Sequence, residues 1–307
     1  MSAKEILKSG MKYLTNANYR FLINAGLGFY DNMPDAEYLK RQYKVCLGKD
    51  LNLENPETFN EKLQWLKLYN RKPVYSIMAD KHRMRQFVSE RIGSGHTVPL
   101  LGAWDDPQEI NFNKLPNSFV LKCNHNSGLG MCICKDKSTL NIAEVKKELT
   151  RGLKQNYYLT GREWPYKDIP RKIIAEEFLE NGQDEALTDY KYFCFGGEPK
   201  IMYISKDNAR VPETDFFDMD FNHLNLQTKD PNAKIPPPKP EQFETMKHMA
   251  QLLAKDTPHL RVDFYVVNGH IYVGELTFFH NSGYSNIQPE NWGAILGSWI
   301  ELPEKTC

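Results

Sequence analysis

The stretch RVDFYVVNGHIYVGELT, residues 261–277, decides the fold class, because it is typical of two strands joined by a tight turn. Asn268-Gly269 is a strong signal for such a turn. A two-residue loop would send Asp263 and Glu275 to opposite faces of the hairpin. A three-residue loop, with Gly269 in the left-handed conformation, would instead pair Arg261 with Glu275. We favour the three-residue loop because it separates the charged side chains from the apolar ones.

The favoured register gives the hairpin one polar face and one apolar face. The polar face would carry Arg261, Asp263, Glu275 and Thr277, and the apolar face would carry Val262, Phe264, Tyr272 and Leu276. Two carboxylates on neighbouring strands, beside an arginine, suit a Mg²⁺ ion that bridges phosphates. An ordinary cross-strand Arg–Glu pair on a solvent face accounts for the same residues. The hairpin alone leaves both interpretations open.

The rest of the chain mixes helices with short strands. Helices are expected in the first 75 residues, where Thr58 and Glu61 form a capping box, and Asp80 is expected to cap the next helix. Strands are predicted at 118–123, 131–134, 172–178, 190–195 and 199–204, with helices after Asn141 and around Phe243. The proline-rich segment 228–240 is typical of an extended connector. This order favours an α+β fold over a parallel doubly wound sheet.

A second motif joins the strand FVLK, residues 119–122, to the loop CNHNSGLG, residues 123–130. A lysine at the end of an apolar strand, followed by a small glycine-containing loop, can hold a cation and backbone N–H groups around phosphates. It is not a Walker A motif, because no Gly-Lys-Ser/Thr follows the glycines. A glycine-bearing hairpin loop with an exposed lysine is the simpler explanation of this segment by itself.

A third motif, IIAEEFL at 173–179, places two carboxylates in an apolar strand that breaks at Asn181-Gly182. It suits either a strand end with its acids in solvent or a hinge whose backbone hydrogen-bonds a nucleotide base. The strand that follows begins with Asp189 and Lys191 on one face.

Composition excludes several classes of protein. The 307 residues carry 39 Lys+Arg against 39 Asp+Glu, so no global positive charge favours nucleic acid. Hydrophobic residues make up 41% and charged residues 25%, which argues against a disordered or coiled-coil chain. The apolar stretch 21–29 is too short to span a bilayer, and the preceding charges do not suit a signal peptide. Six scattered cysteines are typical of reduced thiols, so we expect a cytoplasmic protein.

Taken in order, these segments resemble an ATP-grasp ligase, and more specifically the TupA-like branch named for teichuronopeptide biosynthesis. The resemblance covers about residues 55–283. The segments that carry it are NPETFNEKLQWL (55–66), DK (80–81), FVLKCNH (119–125), IAEEFL (174–179), DYKYFCF (189–195), RVD (261–263) and GELTF (274–278).

The resemblance implies a fold in which two α+β subdomains clasp ATP. A helical N-terminal segment at 1–75 would precede an ATP-grasp domain at 76–300. That domain would divide into a nucleotide-clasping subdomain at 76–172 and a hinge and metal-binding subdomain at 173–300. The Rossmann-like domain that usually precedes the grasp is not evident in this sequence.

The resemblance also implies roles for individual residues. Lys81, Lys122, Asp189 and Lys191 would hold the nucleotide, with Asp189 in the place of the acid that binds the ribose. Asn126, Ser127, Gly128 and Gly130 would close over the phosphates, and Glu176, Glu177 and Leu179 would form the hinge against adenine. Asp263, Glu275 and Thr277 would hold Mg²⁺, while Arg261 and Lys122 would stabilise the transferring phosphoryl group. Thr277 departs from the family pattern, which has asparagine there.

The activity implied is ATP-dependent amide formation between a carboxylate and an amine through an acyl phosphate. The TupA-like resemblance further implies a uronic acid of a bacterial capsule or other surface polysaccharide, joined to an amino acid or simple amine. Peripheral association with polysaccharide assembly machinery is a further expectation. The alternatives are a kinase that acts on a sugar or polysaccharide precursor, and a glycosyltransferase. The latter is suggested by Asp218-Met219-Asp220, which spells a metal motif of that class.

Overall fold

Two antiparallel sheets face each other in the computed structural model, which describes residues 11–180, 187–205 and 212–306. The predicted strand break at Asn181-Gly182 lies outside the described residues. Helices and antiparallel strands occur in mixed order, so the prediction of an α+β fold is confirmed. No helix among the described residues is long and apolar enough to cross a membrane.

The N-terminal part of the described chain is helical, as predicted. The helices are α1 (Ala17–Gly26), α2 (Asp35–Leu47), α3 (Phe59–Tyr69), α4 (Pro73–Ala79) and α5 (Met84–Ile92). The capping box at α3 is confirmed: the Thr58 hydroxyl accepts the Glu61 N–H, and the Glu61 carboxylate accepts the Thr58 N–H. Asp80 differs from its prediction. Its carboxylate accepts the N–H groups of His82 and Arg83 in the turn before α5, whose N-cap is Arg83.

The smaller sheet has four strands in the order β1-β4-β2-β3. These are β1 (Leu100–Trp104), β2 (Phe119–Cys123), β3 (Met131–Cys134) and β4 (Ile173–Glu177). Helix α6 (Ile142–Lys154) packs on this sheet and begins at Asn141, whose side chain accepts the Glu144 N–H. Val145 and Leu149 of α6 are buried in the core of this unit. A short helix, α7 (Tyr157–Gly161), follows.

The larger sheet has six strands in the order β10-β9-β5-β6-β7-β8. They are β5 (Asp189–Phe195), β6 (Glu198–Ser205), β7 (Thr214–Asp218), β8 (His223–Leu224), β9 (His259–Val267) and β10 (His270–Thr277). Helix α8 (Phe243–Ala254) buries its apolar stripe against one face. On the opposite face, Phe59 of α3 contacts Phe195 and His259, and α9 (Asn291–Ser298) packs against α3.

The β9–β10 hairpin corrects one prediction. Val267 pairs with His270 and both turn residues have positive φ, so the loop has two residues and the three-residue register is wrong. The polar face nevertheless forms, because a bulge at Gly274 brings Glu275 opposite Asp263. Before the bulge, Tyr272 pairs with Tyr265, which lies on the same face of β9 as Asp263. Tyr272 is therefore on the polar face, and its assignment to the apolar face is also wrong.

Gly274 leaves room at this bulge for the ring of Tyr265. A Cβ atom at this position would lie 2.5 Å from the ring of Tyr265. The ring therefore occupies the space that any other side chain would need.

Candidate functional site

A cleft of about 710 Å³ lies between the two sheets, on the face of the larger sheet opposite α8. The smaller sheet contributes Lys122 and the loop that follows β2, and the larger sheet contributes the polar ends of β5, β9 and β10. The predicted site residues that line it are Lys81, Lys122, Asn126, Ser127, Gly128, Asp189, Lys191, Arg261, Asp263, Glu275 and Thr277. Residues from four separate parts of the chain therefore meet in one space.

A buried ion pair on β9 forms the floor of the cleft. Arg261 Nε donates to Asp263 Oδ1 at 2.7 Å and Nη2 donates to Oδ2 at 2.6 Å. Arg261 also donates to Thr277 Oγ1 at 3.1 Å and to His280 Nδ1 at 2.8 Å. Burial and the neighbouring Arg261 lower the pKa of His280, which is therefore neutral and able to accept this bond. These contacts fix the guanidinium plane against the sheet.

Glu275 is the open carboxylate of the site. It pairs with Asp263 across β9 and β10 and lines the cleft, and within the described residues its side chain has no hydrogen bond or ion pair. Burial acts to raise its pKa, but nearby Lys81, Arg261 and Lys191 outweigh this and the net shift is downward. The carboxylate is therefore ionised and available to a ligand.

Lys191 extends this row of charges onto β5. It pairs with Asp263 across β5 and β9, and its Nζ lies 3.6 Å from Asp189 Oδ1. Burial acts to lower the pKa of Lys191, but Asp263 and other neighbours raise it overall, so the ammonium is charged. Glu275, Asp263 and Lys191 thus lie side by side on three adjacent strands.

The opposite wall carries two more lysines. Lys122 Nζ lies 2.5 Å from Glu176 Oε2, and Arg85 lies 3.5 Å from the other oxygen of Glu176. Lys81 Nζ donates to the Asn126 carbonyl at 2.6 Å. Burial lowers the pKa of Lys81, whereas Glu275 acts to raise it. The lysines and the carboxylates on the two walls face one another across the cleft.

The loop 124–130 is fastened to helix α6 by a close glycine contact. A Cβ added to Gly152 would lie 2.5 Å from the Cα atom of Gly130 and 2.8 Å from Cys123 Sγ. Asn126 Nδ2 donates to Gln155 Oε1 at 3.0 Å and to the Gly152 carbonyl at 3.3 Å. Gly128, at the open part of the loop, has a φ of 83°. The loop therefore has a fixed base and an unhindered tip.

The predicted hinge residues lie beside the cleft lining, not in it. The described residues that line the cleft do not include Glu176, Glu177, Leu179 or Gly130. Glu176 instead contacts Lys122, and the exposed Glu177 donates its backbone N–H to the Pro99 carbonyl. Leu179 follows the end of β4 and is half-buried. Their adenine-binding roles stay predictions.

Several cleft residues were missed by the sequence analysis. They are Tyr157, Glu163, Tyr166, His280, Asn281 and Ser282. Most lie on short helical turns that carry no motif. A signal was present in α3, where the polar residues Gln64 and Lys67 interrupt a largely apolar stripe. Lys67 is fully buried and reaches the loop at 280–283.

The oxygen donors present suit Mg²⁺, the ion that the resemblance implies. Mg²⁺ is usually held by one or two carboxylates together with substrate phosphates and water. Glu275 has unused oxygens, and Asp263 keeps further lone pairs beside its bonds to Arg261. Among the described residues, no group of three His, Cys, Asp or Glu side chains surrounds a metal position. The fit is thus to an ion completed by phosphates.

Solved structures that are similar to this chain include two D-alanine–D-alanine ligases. A D-alanine–D-alanine ligase from Helicobacter pylori aligns with a TM-score of 0.50 and 15% identity, over 80% of this chain and 69% of that one. A D-alanine–D-alanine ligase from Bacillus anthracis, complexed with ATP, has a TM-score of 0.40 and 17% identity, over 66% of this chain and 54% of that one. This chain thus spans about half the length of the Bacillus enzyme.

A third structure, the N5-carboxyaminoimidazole ribonucleotide synthetase from Thermus thermophilus, has a TM-score of 0.41 and 14% identity, over 75% of this chain and 55% of that one. No curated protein matches this chain. The model of the TupA-like ATP-grasp family matches residues 61–301, which is most of the chain and includes the whole cleft. The protein therefore belongs to the TupA-like ATP-grasp family.

Proposed function

We propose that the protein is an ADP-forming carboxylate–amine ligase, which uses ATP to phosphorylate a carboxylate and then forms an amide from the acyl phosphate. The observation that carries this proposal is the convergence of Lys81, Lys122, Lys191 and Arg261 around the open carboxylate of Glu275. Although the net charge of the chain is zero, these four cations lie together where a polyphosphate and an acid would bind.

The proposed roles follow from the contacts of each side chain. Lys81 and Lys122 would bind the phosphates under the loop 124–130, whose small residues let backbone N–H groups approach an anion. Arg261 is held rigidly by Asp263 and would stabilise the charge on the transferring phosphoryl group. Glu275 and Asp263, with Thr277 beside them, would hold Mg²⁺. The ion, when bound, supplies charge neutralisation between the phosphates.

Nucleotide recognition would involve Asp189 and Lys191 on β5 and the chain after β4. Asp189 is buried at the edge of the cleft, where a carboxylate can accept hydrogen bonds from ribose hydroxyls. The backbone N–H of Glu177 is already bonded to Pro99. Adenine would therefore meet backbone groups at Phe178 and Leu179, one residue further along the hinge.

The substrate assignment rests on the family. We propose a uronic acid of a bacterial capsule or other surface polysaccharide as the carboxylate, and an amino acid or simple amine as its partner. The protein would act in the cytoplasm, in peripheral association with polysaccharide assembly machinery.

Product analysis distinguishes this activity from that of a kinase. ADP and free phosphate should appear in equal amounts only when both acid and amine are present. A kinase would release ADP without free phosphate and with no need for an amine. The glycosyltransferase alternative is weakened by Asp218, whose carboxylate accepts the N–H groups of Asp220 and Asn222 and the Asn222 side chain, and so builds a turn.

A further inference from the structure

The cleft lining also includes five residues outside the phosphate site, which we call the Glu163 pocket. They are Tyr157, Glu163, Tyr166, Asn281 and Ser282. Glu163 follows α7 and is only 6% exposed, yet it lines the cleft. None of these residues has a role in the proposed phosphoryl transfer.

Glu163 is a buried carboxylate without a direct cationic partner among the described residues. Its side chain hydrogen-bonds with Ser282. Lys67 acts on its charge through the Ser282 hydroxyl, to which the Lys67 ammonium donates at 3.0 Å. The same ammonium donates to Gln64 Oε1 at 2.9 Å, the Gly161 carbonyl at 2.7 Å and the Ser282 carbonyl at 2.8 Å. The donors of the Lys67 ammonium are therefore used. Burial raises the pKa of Glu163. A ligand that brings a cation would offset the free-energy cost of burying this carboxylate.

The segment that hydrogen-bonds with Glu163 is held in an unusual backbone conformation. Asn281, Ser282 and Gly283 have consecutive positive φ values of 47°, 54° and 68°. Lys67 donates to the Ser282 carbonyl, and Gln64 donates to the Ser282 and Gly283 carbonyls at 3.0 and 2.9 Å. Two side chains of α3 thus fix a strained loop, which keeps the Ser282 hydroxyl on Glu163.

Two tyrosine rings complete the pocket. The rings of Tyr157 and Tyr166 meet edge to face, with centroids 4.9 Å apart. The charges of both Glu163 and Glu275 raise the pKa of each phenol, after the larger effect of burial, so the rings lie near both carboxylates. Aromatic faces beside a buried carboxylate attract an ammonium group and repel an anion.

We propose that Glu163, with Tyr157 and Tyr166, binds the amine co-substrate as its ammonium ion. This inference rests on the proposed ligase function. It places the acid substrate beside the lysines and Arg261, and the amine substrate beside Glu163. The pocket would therefore select a primary amine over a hydroxyl compound of the same shape.

The same carboxylate would take the proton that must leave before the amine can react. One N–H proton passes from the ammonium to a Glu163 oxygen, which frees the nitrogen lone pair. The nitrogen then attacks the carbonyl carbon of the acyl phosphate. As the C–O bond to phosphate breaks, the second proton leaves the nitrogen with the phosphate, and Glu163 returns its proton to solvent.

Calorimetric binding tests the pocket directly. Wild-type protein with Mg²⁺ and a non-hydrolysable ATP analogue would be titrated with ethanolamine and L-alanine, and with ethylene glycol and L-lactate as their respective hydroxyl counterparts. At least one amine should bind about ten-fold more tightly than its counterpart. Glu163→Gln should lose about ten-fold in amine affinity and keep its affinity for the ATP analogue. Glu90→Gln, an exposed change on α5, is the matched control.

Either of two results overturns the inference: no amine binds better than its hydroxyl counterpart, or Glu163→Gln binds it unchanged. If Glu163→Gln does not fold, Tyr157→Leu keeps the carboxylate and removes a ring, and amine affinity should still fall.

The proposed function is tested separately. Hydroxylamine should trap an acyl phosphate as a hydroxamate from D-glucuronate, D-galacturonate or their nucleotide-diphosphate forms. Hydroxamate formation with unchanged amine binding in Glu163→Gln would refute the amine pocket alone. Absence of hydroxamate with all of these acids would refute the ligase proposal.

Discussion

Replacing Gly152 by alanine tests whether the contact between α6 and the loop 124–130 controls nucleotide binding. The new Cβ would lie 2.5 Å from the Cα atom of Gly130, whereas carbon atoms need about 3.5–4 Å. One backbone must therefore move by about 1 Å. Such overpacking costs about 1–3 kcal/mol. The gain in helix propensity from glycine to alanine offsets about 1 kcal/mol of this.

A matched substitution separates the two effects. Gly293 is also inside a helix, but a Cβ added there meets no atom within 4 Å. Gly293→Ala should therefore gain up to about 1 kcal/mol in free energy of unfolding. Gly152→Ala should be about 1–3 kcal/mol less stable than Gly293→Ala by urea unfolding.

Calorimetry should also show about ten-fold or more weaker ATP binding to Gly152→Ala, because the loop is displaced. Equal stability and equal ATP affinity in the two variants would refute the reasoning.

Three further changes test other parts of the site. Glu275→Gln should reduce ADP release about 100-fold or more, while the exposed Glu54→Gln should not; equal rates would remove Glu275 from the metal site. Lys122→Met should weaken ATP binding and lower the free energy of unfolding by about 1–3 kcal/mol, because buried Glu176 loses its closest partner; unchanged values of both would contradict this. Burial lowers the pKa of Lys67 from 10.5 to about 7, so between about pH 7 and pH 10.5 the unfolded chain binds more protons. The stability of wild type relative to Lys67→Met should then rise by up to about 1.4 kcal/mol per pH unit; a flat or falling difference would refute it.

The hairpin illustrates what the sequence predicts and what it does not. Asn268-Gly269 and the alternation of charge correctly indicated a hairpin with Arg261, Asp263 and Glu275 on one face. The register was wrong because the extra residue was placed in the turn, whereas it lies at Gly274 within β10. A glycine inside a strand is typical of a bulge, so Gly274 is a local signal that could have found this one.

The two ends of the cleft differ in how far the sequence predicts them. The phosphate end is built by residues in ordered segments with recognisable spacing, so Lys122 and Glu275 could be predicted. Glu163 lies on a short turn, and its hydrogen bond joins it to Ser282 in the loop at 280–283, which Lys67 of α3 contacts. To predict that pocket from the sequence, one would need to know in advance how Lys67 packs.

The most direct test of the proposed amide-forming activity follows an oxygen atom. The acid substrate would carry ¹⁸O in its carboxylate, and the inorganic phosphate released in the complete reaction would be analysed by mass spectrometry. An acyl-phosphate intermediate transfers one carboxylate oxygen to phosphate, so the account predicts about one ¹⁸O per phosphate. Phosphate that contains no ¹⁸O, although ADP and product form, would contradict it.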